Sequence, residues 1–466
     1  MKLYYYFSVN DRFFTDATIK LAEKYPQMKF YGLAGGRRDF IEEKNFYDNV
    51  SYLSELDNGV AVDYEYLLYV ERKYNIRLSD LINSERTFWR MDKINRLKYA
   101  EAIIRRIEKD FENYNFTVIF AEGIDDFPSY FLQEFAKYHQ IPFYYFVYSR
   151  LGGSVFLSNR KDTGPINLES LFKSNCALYY EDPTSFAKTK DFISNYIKNK
   201  SQPYYVTQSQ MLYKTFSLDD VKVFIKAIKH FLKDSKAYHA FENPLYFPVR
   251  RLQKIRRKKQ YSSYFKNKLI SWETLKNERY MVYPLHFHPE AATLIQGRWF
   301  NNQKEIIEMI SKVLPVDMKL IVKEHKVSIG RRPINFYKEI DELFNVYFVS
   351  ENQDVYSLLQ ESSGVVTISS SMGLEAIMLN KPVITFGDIH YNILSQVIKV
   401  RDFSTMREYV DEVLSFKCYE EAEYWSFFKT ITENCYEMPG YSPHVYTDEH
   451  VNTFILMIED IRRGLK

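Results

Sequence analysis

Short β-branched and aromatic runs alternate with amphipathic helical stretches along this chain, and the alternation starts twice. Residues 3–9 read as a first strand and 15–25 as the helix after it, while 29–33, ending in Ala34-Gly35-Gly36, read as the next strand and its turn. Over 92–111 the apolar side chains fall at Ile94, Leu97, Ala100, Ile103, Ile104 and Ile107, one face of a helix. A strand over 116–121, a helix over 127–139, the apolar run 142–148 and a helix over 221–232 complete the first half. The second half begins with a strand at 281–285 and continues with strands at 320–323, 346–349, 365–368 and 383–386. Helical patterns at 303–313, 334–343, 354–359 and 372–379 separate them. This order specifies parallel α/β sheets, and 466 residues exceed what one core organises, so two Rossmann-like domains facing a central cleft are expected. The boundaries read as 1–242 and 275–425, with a linker at 243–274 and a helical tail at 426–466.

Charge and cysteine usage narrow the function. With 63 Lys and Arg against 60 Asp and Glu the formal charge is +3, so the chain as a whole does not read as a nucleic-acid binder. Cys176, Cys418 and Cys435 lie far apart without metal-ligand spacing, which fits a reducing compartment. The N-terminal apolar run turns polar at Asn10-Asp11-Arg12, too early for a signal-peptide core, and no stretch approaches the ~20 apolar residues that span a bilayer. A cytoplasmic location is the expectation. No GxGxxG follows a strand, which argues against a dinucleotide-dependent dehydrogenase.

In open α/β sheets ligands sit beyond the carboxyl ends of the strands, so residues just after the predicted strands are the ones to weigh. Lys323-Glu324-His325, trailed by Arg331 and Arg332, gathers groups that suit a phosphate, although a solvated basic loop has the same composition. Ser369-Ser370-Ser371 stands where a strand gives way to a helix, so hydroxyls and free N–H groups favour an anion; Gly373 then allows close backbone approach. Glu375 suits ribose hydroxyls or a capping box. His286, His288 and Glu290 follow the first strand of the second half; the H-x-H spacing alone is weak for a metal, and a loop facing the cleft is preferred.

The ordered set Pro284-Leu285-His286-Phe287-His288-Pro289-Glu290, Lys323-Glu324-His325, Ser369-Ser370-Ser371-Met372-Gly373-Leu374-Glu375-Ala376 and Lys381-Pro382-Val383-Ile384-Thr385-Phe386-Gly387 resembles the capsule polysaccharide biosynthesis family. That family includes Kdo transferases and is similar in site logic to bacterial sialyltransferases. The resemblance implies a GT-B-like fold and a metal-independent glycosyltransferase without cofactor. Its donor would be a nucleotide-sugar, with CMP favoured, held by the C-terminal domain, and its acceptor a saccharide or lipid-linked saccharide on the N-terminal one. It carries phosphate contact over to His325 and to Ser370 or Ser371, although Lys326 stands where the related enzymes have Pro.

The N-terminal half is expected to supply the acid/base group. Glu122 is the first choice and Asp125 the second, because both follow the strand at 116–121 and resemble the acidic-Gly motif of sialyltransferases. Helix capping is the other reading of Asp125 and Asp126. Arg150 suits a sugar carboxylate or is a surface turn residue. Residues 243–272 hold nine Lys and Arg and no acid, interleaved with apolar residues; the cations at 250–268 suit an anionic membrane, RNA or solvent, and the membrane is favoured. The rival functions are a non-hydrolysing nucleotide-sugar epimerase and a noncatalytic polysaccharide- or RNA-binding protein.

Overall fold

The computed structural model describes residues 1–7, 11–35, 48–53, 56, 59, 61–86, 91–199, 225, 228, 246–441 and 445–464. The boundary expected at 242 and the helix expected over 221–232, apart from 225 and 228, lie outside the described residues. In chain order the first lobe holds β1 (Lys2–Phe7), α1 (Asp11–Lys24), β2 (Lys29–Ala34), β3 (Asn49–Tyr52), α2 (Tyr64–Tyr74), α3 (Leu78–Asn83), α4 (Lys93–Tyr114), β4 (Val118–Ala121), α5 (Phe127–His139), β5 (Phe143–Tyr148), β6 (Ser154–Ser158), α6 (Leu168–Glu181) and α7 (Ala187–Lys198). After the basic helix α8 (Tyr246–Tyr264) and α9 (Trp272–Leu275) come β7 (Arg279–Pro284), α10 (Gln303–Val313), β8 (Met318–Lys323), α11 (Ile334–Asp341), β9 (Val346–Val349), α12 (Val355–Gln360), β10 (Val365–Thr367), α13 (Ser371–Met378), β11 (Val383–Thr385), β12 (Val397–Lys399) and α14 (Met406–Ser415). The chain then runs through α15 (Glu421–Glu433), β13 (Tyr436–Glu437) and α16 (Asp448–Arg462).

Two sheets organise these elements. The second has the order β12-β11-β10-β7-β8-β9 and is parallel throughout. In the first, β3-β2-β1-β4-β5 are parallel in the same relative order, and β6 and β13 add an antiparallel edge that the sequence pattern did not signal. Helices cover both faces of the second sheet, so Tyr280, Met281, Val282 and Tyr283 of β7 are all fully buried, which explains its continuous apolar run. Strand order reverses between β7 and β10, the switch point beyond which such sheets bind ligands. The α/β, GT-B-like class expected from the sequence is the one observed. Among the described residues no helix is long and apolar enough to cross a membrane.

The lobes are fastened rather than merely adjacent. A short π-helix, Ala292–Gln296, places Leu294 and Ile295 of the second lobe in the core under the first sheet. Two residues on, Arg298 donates to Asp80 at 2.6 Å and to the Tyr130 hydroxyl at 2.8 Å. The basic helix was expected outside both lobes; instead Tyr261 and Phe265 pack against Tyr337 and Phe348 of the second, because its inward face is aromatic. The chain then returns to the first lobe: β13 pairs with β6, and α16 packs on α1. Phe454 is fully buried against Phe13, Phe14, Phe120 and Phe146.

Phe454→Ala is therefore expected to cost about 3–5 kcal/mol. Its signature in hydrogen exchange should be lost protection in β1 and α1, with the second sheet unaffected.

Candidate functional site

The turns beyond β5, β7, β8, β9 and β10 enclose a cleft of about 820 Å³ between the lobes, within the range of small-molecule sites. It brings together Arg150, His286, Glu290, Lys323, His325, Ser369, Ser370, Ser371 and Glu375. Glu122, Asp125, His288 and Gly373 are not among its lining residues.

The α13 end of the cleft divides the work of the three serines. Ser370 is the N-cap: its hydroxyl accepts the Met372 N–H at 3.1 Å, and its carbonyl accepts the Tyr391 hydroxyl at 2.9 Å. The Ser369 hydroxyl donates to the Ala292 carbonyl, and the Ser369 N–H is taken by His286 Nε2 at 3.2 Å. Of the three serines, Ser371 alone has no side-chain hydrogen bond among the described residues, at the first turn of the helix where the dipole favours an anion. The expectation for Gly373 is corrected: a Cβ there would lie 2.4 Å from the Tyr391 hydroxyl, so glycine makes room for that ring and not for a ligand.

Arg150 reaches this helix end from the other lobe. It occupies the β5–β6 turn in the left-handed region, φ +66°, a conformation costing about 1 kcal/mol for a non-glycine residue. Its guanidinium donates to the Ser369 carbonyl at 2.9 Å. Arg150 thus faces the α13 terminus, and it lines the cleft together with Ser371 and Glu375. Burial pushes the Glu375 carboxyl up to about 8 against the pull of Arg150, so at neutral pH it is mostly protonated and can donate a hydrogen bond.

Within Lys323-Glu324-His325 two of the three residues serve the scaffold. Lys323 donates to the carbonyls of Ser350 and Glu351, at 3.3 and 2.8 Å, and burial lowers it to about 8. Glu324 is fully enclosed, gripped by Arg332 at 2.7 and 2.8 Å and by the Tyr337 hydroxyl. His325 opens to the cleft. Its Nδ1 accepts the Val327 N–H at 3.3 Å, and its surroundings, Arg332 and Lys323 hold it down to about 4. A neutral ring with an accepting Nδ1 carries its proton on Nε2, so His325 is a neutral donor rather than a cation.

The two other histidines point away from shared chemistry. His286 joins the β7 and β10 turns through Ser369 N–H and Thr367 Oγ1, both 3.2 Å from Nε2, and burial holds it neutral, down to about 3. His288 Nδ1 bonds the Thr293 hydroxyl at 2.9 Å, so the H-x-H pair forms no chelate. Among the described residues no group of three His, Cys, Asp or Glu is placed to hold a metal ion.

On the first lobe the acidic loop after β4 is mostly committed. Asp126 caps α5 in a capping box with Ser129 and accepts the Tyr6 hydroxyl. Asp125 pairs with Arg86 at 2.7 Å, and burial raises it to about 6. Glu122 is half-buried outside the cleft lining. Arg86 and the lining loop from Glu351 to Val355 carry no sequence signal of their own; the loop follows β9, where strand-end reasoning points, whereas Arg86 lies in no pattern.

Two sheets of Rossmann order across a cleft, with a helix N-terminus of the second lining it, define a GT-B-like two-lobe protein. Residues 188–422, just over half the chain, match the family model described as capsule polysaccharide biosynthesis protein, and the chain belongs to that family. No curated protein matches the chain. Among solved structures it is similar to the β-Kdo 2,7-transferase KpsC of Thermosulfurimonas dismutans, at 10% identity over 98% of this chain and 100% of that one, TM-score 0.37. The β-Kdo 2,4-transferase KpsC of that organism aligns at 14% identity over 73% and 87%, TM-score 0.40. A UDP-GlcNAc 2-epimerase from Methanocaldococcus jannaschii aligns at 12% identity over 93% and 99%, TM-score 0.27.

The serines should separate in mutants. Ser370→Ala is expected to lower stability by about 1 kcal/mol through loss of the cap. Ser371→Ala should leave the melting temperature unchanged and weaken nucleotide binding by about 1.5 kcal/mol, roughly tenfold, in calorimetry.

Proposed function

We propose that this chain transfers a sugar from a nucleotide-activated donor to a surface-polysaccharide or glycolipid acceptor. The observation that carries the reading is the convergence of Ser371, Arg150 and the Nε2–H of His325 on one cleft. Donors drawn from both lobes suit a departing nucleotide phosphate, whose negative charge grows as the glycosidic bond breaks. In this reading direct displacement at the anomeric carbon needs no metal. In this reading Glu375, mostly protonated one turn into α13, serves a ribose hydroxyl, supported by its place in the cleft lining. The favoured donor is a CMP-sugar, with Kdo or a related acidic sugar as the group moved.

The reading places the protein at the inner face of the membrane, through the outer side of α8. Val249, Leu252 and Ile255 are 50, 67 and 38% exposed there, beside the exposed cations Arg250, Arg256 and Lys259. Aliphatic side chains flanked by cations suit an anionic lipid surface, each cation contributing about 1 kcal/mol.

A thermal-shift screen across CMP, UDP, GDP and dTDP should raise the melting temperature selectively, with CMP expected to be most effective. His325→Ala should abolish most of that shift while lowering the unliganded melting temperature only slightly, through loss of the acceptor for the Val327 N–H; no shift with any nucleotide, or an unchanged shift in His325→Ala, counts against the assignment.

Cosedimentation with phosphatidylglycerol vesicles at low salt tests the helix. Changing Leu252, Arg256 and Lys259 to Gln should release the protein from the pellet and leave nucleotide affinity intact. A wild type that stays in the supernatant removes the membrane assignment.

A further inference from the structure

We propose that Glu290 is the general base that takes the proton from the acceptor hydroxyl, an assignment that rests on the glycosyl-transfer reading above. Among the carboxylates lining the cleft, Glu324 is locked by Arg332 and Tyr337. Asp354 caps α12. Glu375 belongs to the donor helix beside Arg150. Glu351 lies on the β9 turn, with its carbonyl held by Lys323. Arg86 and Asp125 of the first lobe act on Glu290 from across the cleft, and Arg331 from its own lobe, whereas the first-lobe group acting on Glu375 is Arg150, at the donor helix end. Its carboxylate is open to the cleft and has no hydrogen bond or ion pair among the described residues.

The backbone at this position is rigidly held, which fixes where the side chain starts. Glu290 follows β7 at the switch point of the second sheet. Its carbonyl accepts the N–H groups of Thr293 and Leu294, and Leu294 and Ile295 are plugged into the core of the first lobe. The backbone that carries the carboxylate is therefore fixed at the seam of the lobes, on the side from which an acceptor held by the first lobe would approach. Protein walls on both sides raise it to about 7, offset in part by Arg86 and Arg331 and reinforced by Asp125, so it is poised to exchange a proton near neutrality.

The step balances without a co-reactant. The acceptor oxygen forms a bond to the anomeric carbon while the bond from that carbon to the nucleotide phosphate oxygen breaks. The bonding pair leaves with the nucleotide towards Arg150, Ser371 and His325. The acceptor proton passes to Glu290 and then to water.

The test uses the full chain, the nucleotide-sugar whose nucleotide gives the largest thermal shift, and a panel of p-nitrophenyl glycosides as acceptors, with nucleotide release as the readout. Glu290→Gln should lower kcat by about 10²–10⁴-fold and leave the donor KM and melting temperature unchanged. Wild-type kcat should fall as pH drops through about 7, because protonation removes the base, and that acidic limb should vanish in Glu290→Gln. If Glu290→Gln does not fold, Glu290→Asp must show a reduced kcat with the limb retained. The assignment is overturned if Glu290→Gln keeps wild-type turnover while Glu122→Gln or Asp125→Asn loses it. It is equally overturned if intact-mass analysis finds the sugar covalently attached to Glu290, which would make it a nucleophile. A wild type that binds nucleotide-sugars yet releases nucleotide from none overturns the transfer reading itself, a result distinct from an active wild type with an active variant.

Discussion

The buried pair of Glu324 and Arg332 is the contact on which the cleft depends. Their side chains are 0 and 12% exposed, and Arg332 Nη1 lies 2.7 and 2.8 Å from the two Glu324 oxygens, so each charge is matched where water is excluded. Arg332 also holds the His286 carbonyl, and Glu324 accepts from Tyr337 on α11 and from the His325 N–H. The His286 ring then takes the Ser369 N–H, and the Ser369 carbonyl takes Arg150. One connected set of hydrogen bonds thus runs from a helix of the second lobe, through three strand-end turns, to the first lobe. Removing one member of such a pair leaves a buried charge unmatched, typically at a cost of about 3–5 kcal/mol, so these residues set geometry before any ligand arrives.

Much of the architecture is legible in the sequence because it rests on local periodicity. The 303–313 and 127–139 patterns coincide with α10 and α5, and the helix expected over 92–111 begins one residue later, at Lys93, because Asp92 is its cap. The misses have a common cause. β6 and β13 meet across hundreds of residues, and β13 has only two residues, so neither carries a pattern of its own. The basic helix was read by its charge, whereas Tyr261 and Phe265, two residues among many aromatics, decide where it packs.

The site was legible as a set of positions and not as a set of roles. Nine of the expected residues line one cleft, because residues after parallel strands converge there whatever their chemistry. Which nitrogen of His325 is free depends on the Val327 N–H, and which serine is free depends on Tyr391, His286 and Thr367. None of these relations is a spacing. Glu122 stands after β4, as the strand-end argument requires, but it does not line the cleft; its neighbours Asp126 and Asp125 cap α5 and pair with Arg86, and the carboxylates that line the cleft all belong to the second lobe.

The return of β13 and α16 to the first sheet bears on how the molecule is made. All strands of the second sheet lie between Arg279 and Lys399, so that sheet can close on itself as soon as this stretch has left the ribosome. The first sheet, begun at Lys2, keeps an open edge at β6 and a bare aromatic face around Phe13 and Phe14 until residues 436–462 arrive. The lobe synthesised first is the one completed last, and for most of translation its unfinished face is the surface that chaperones would have to shield.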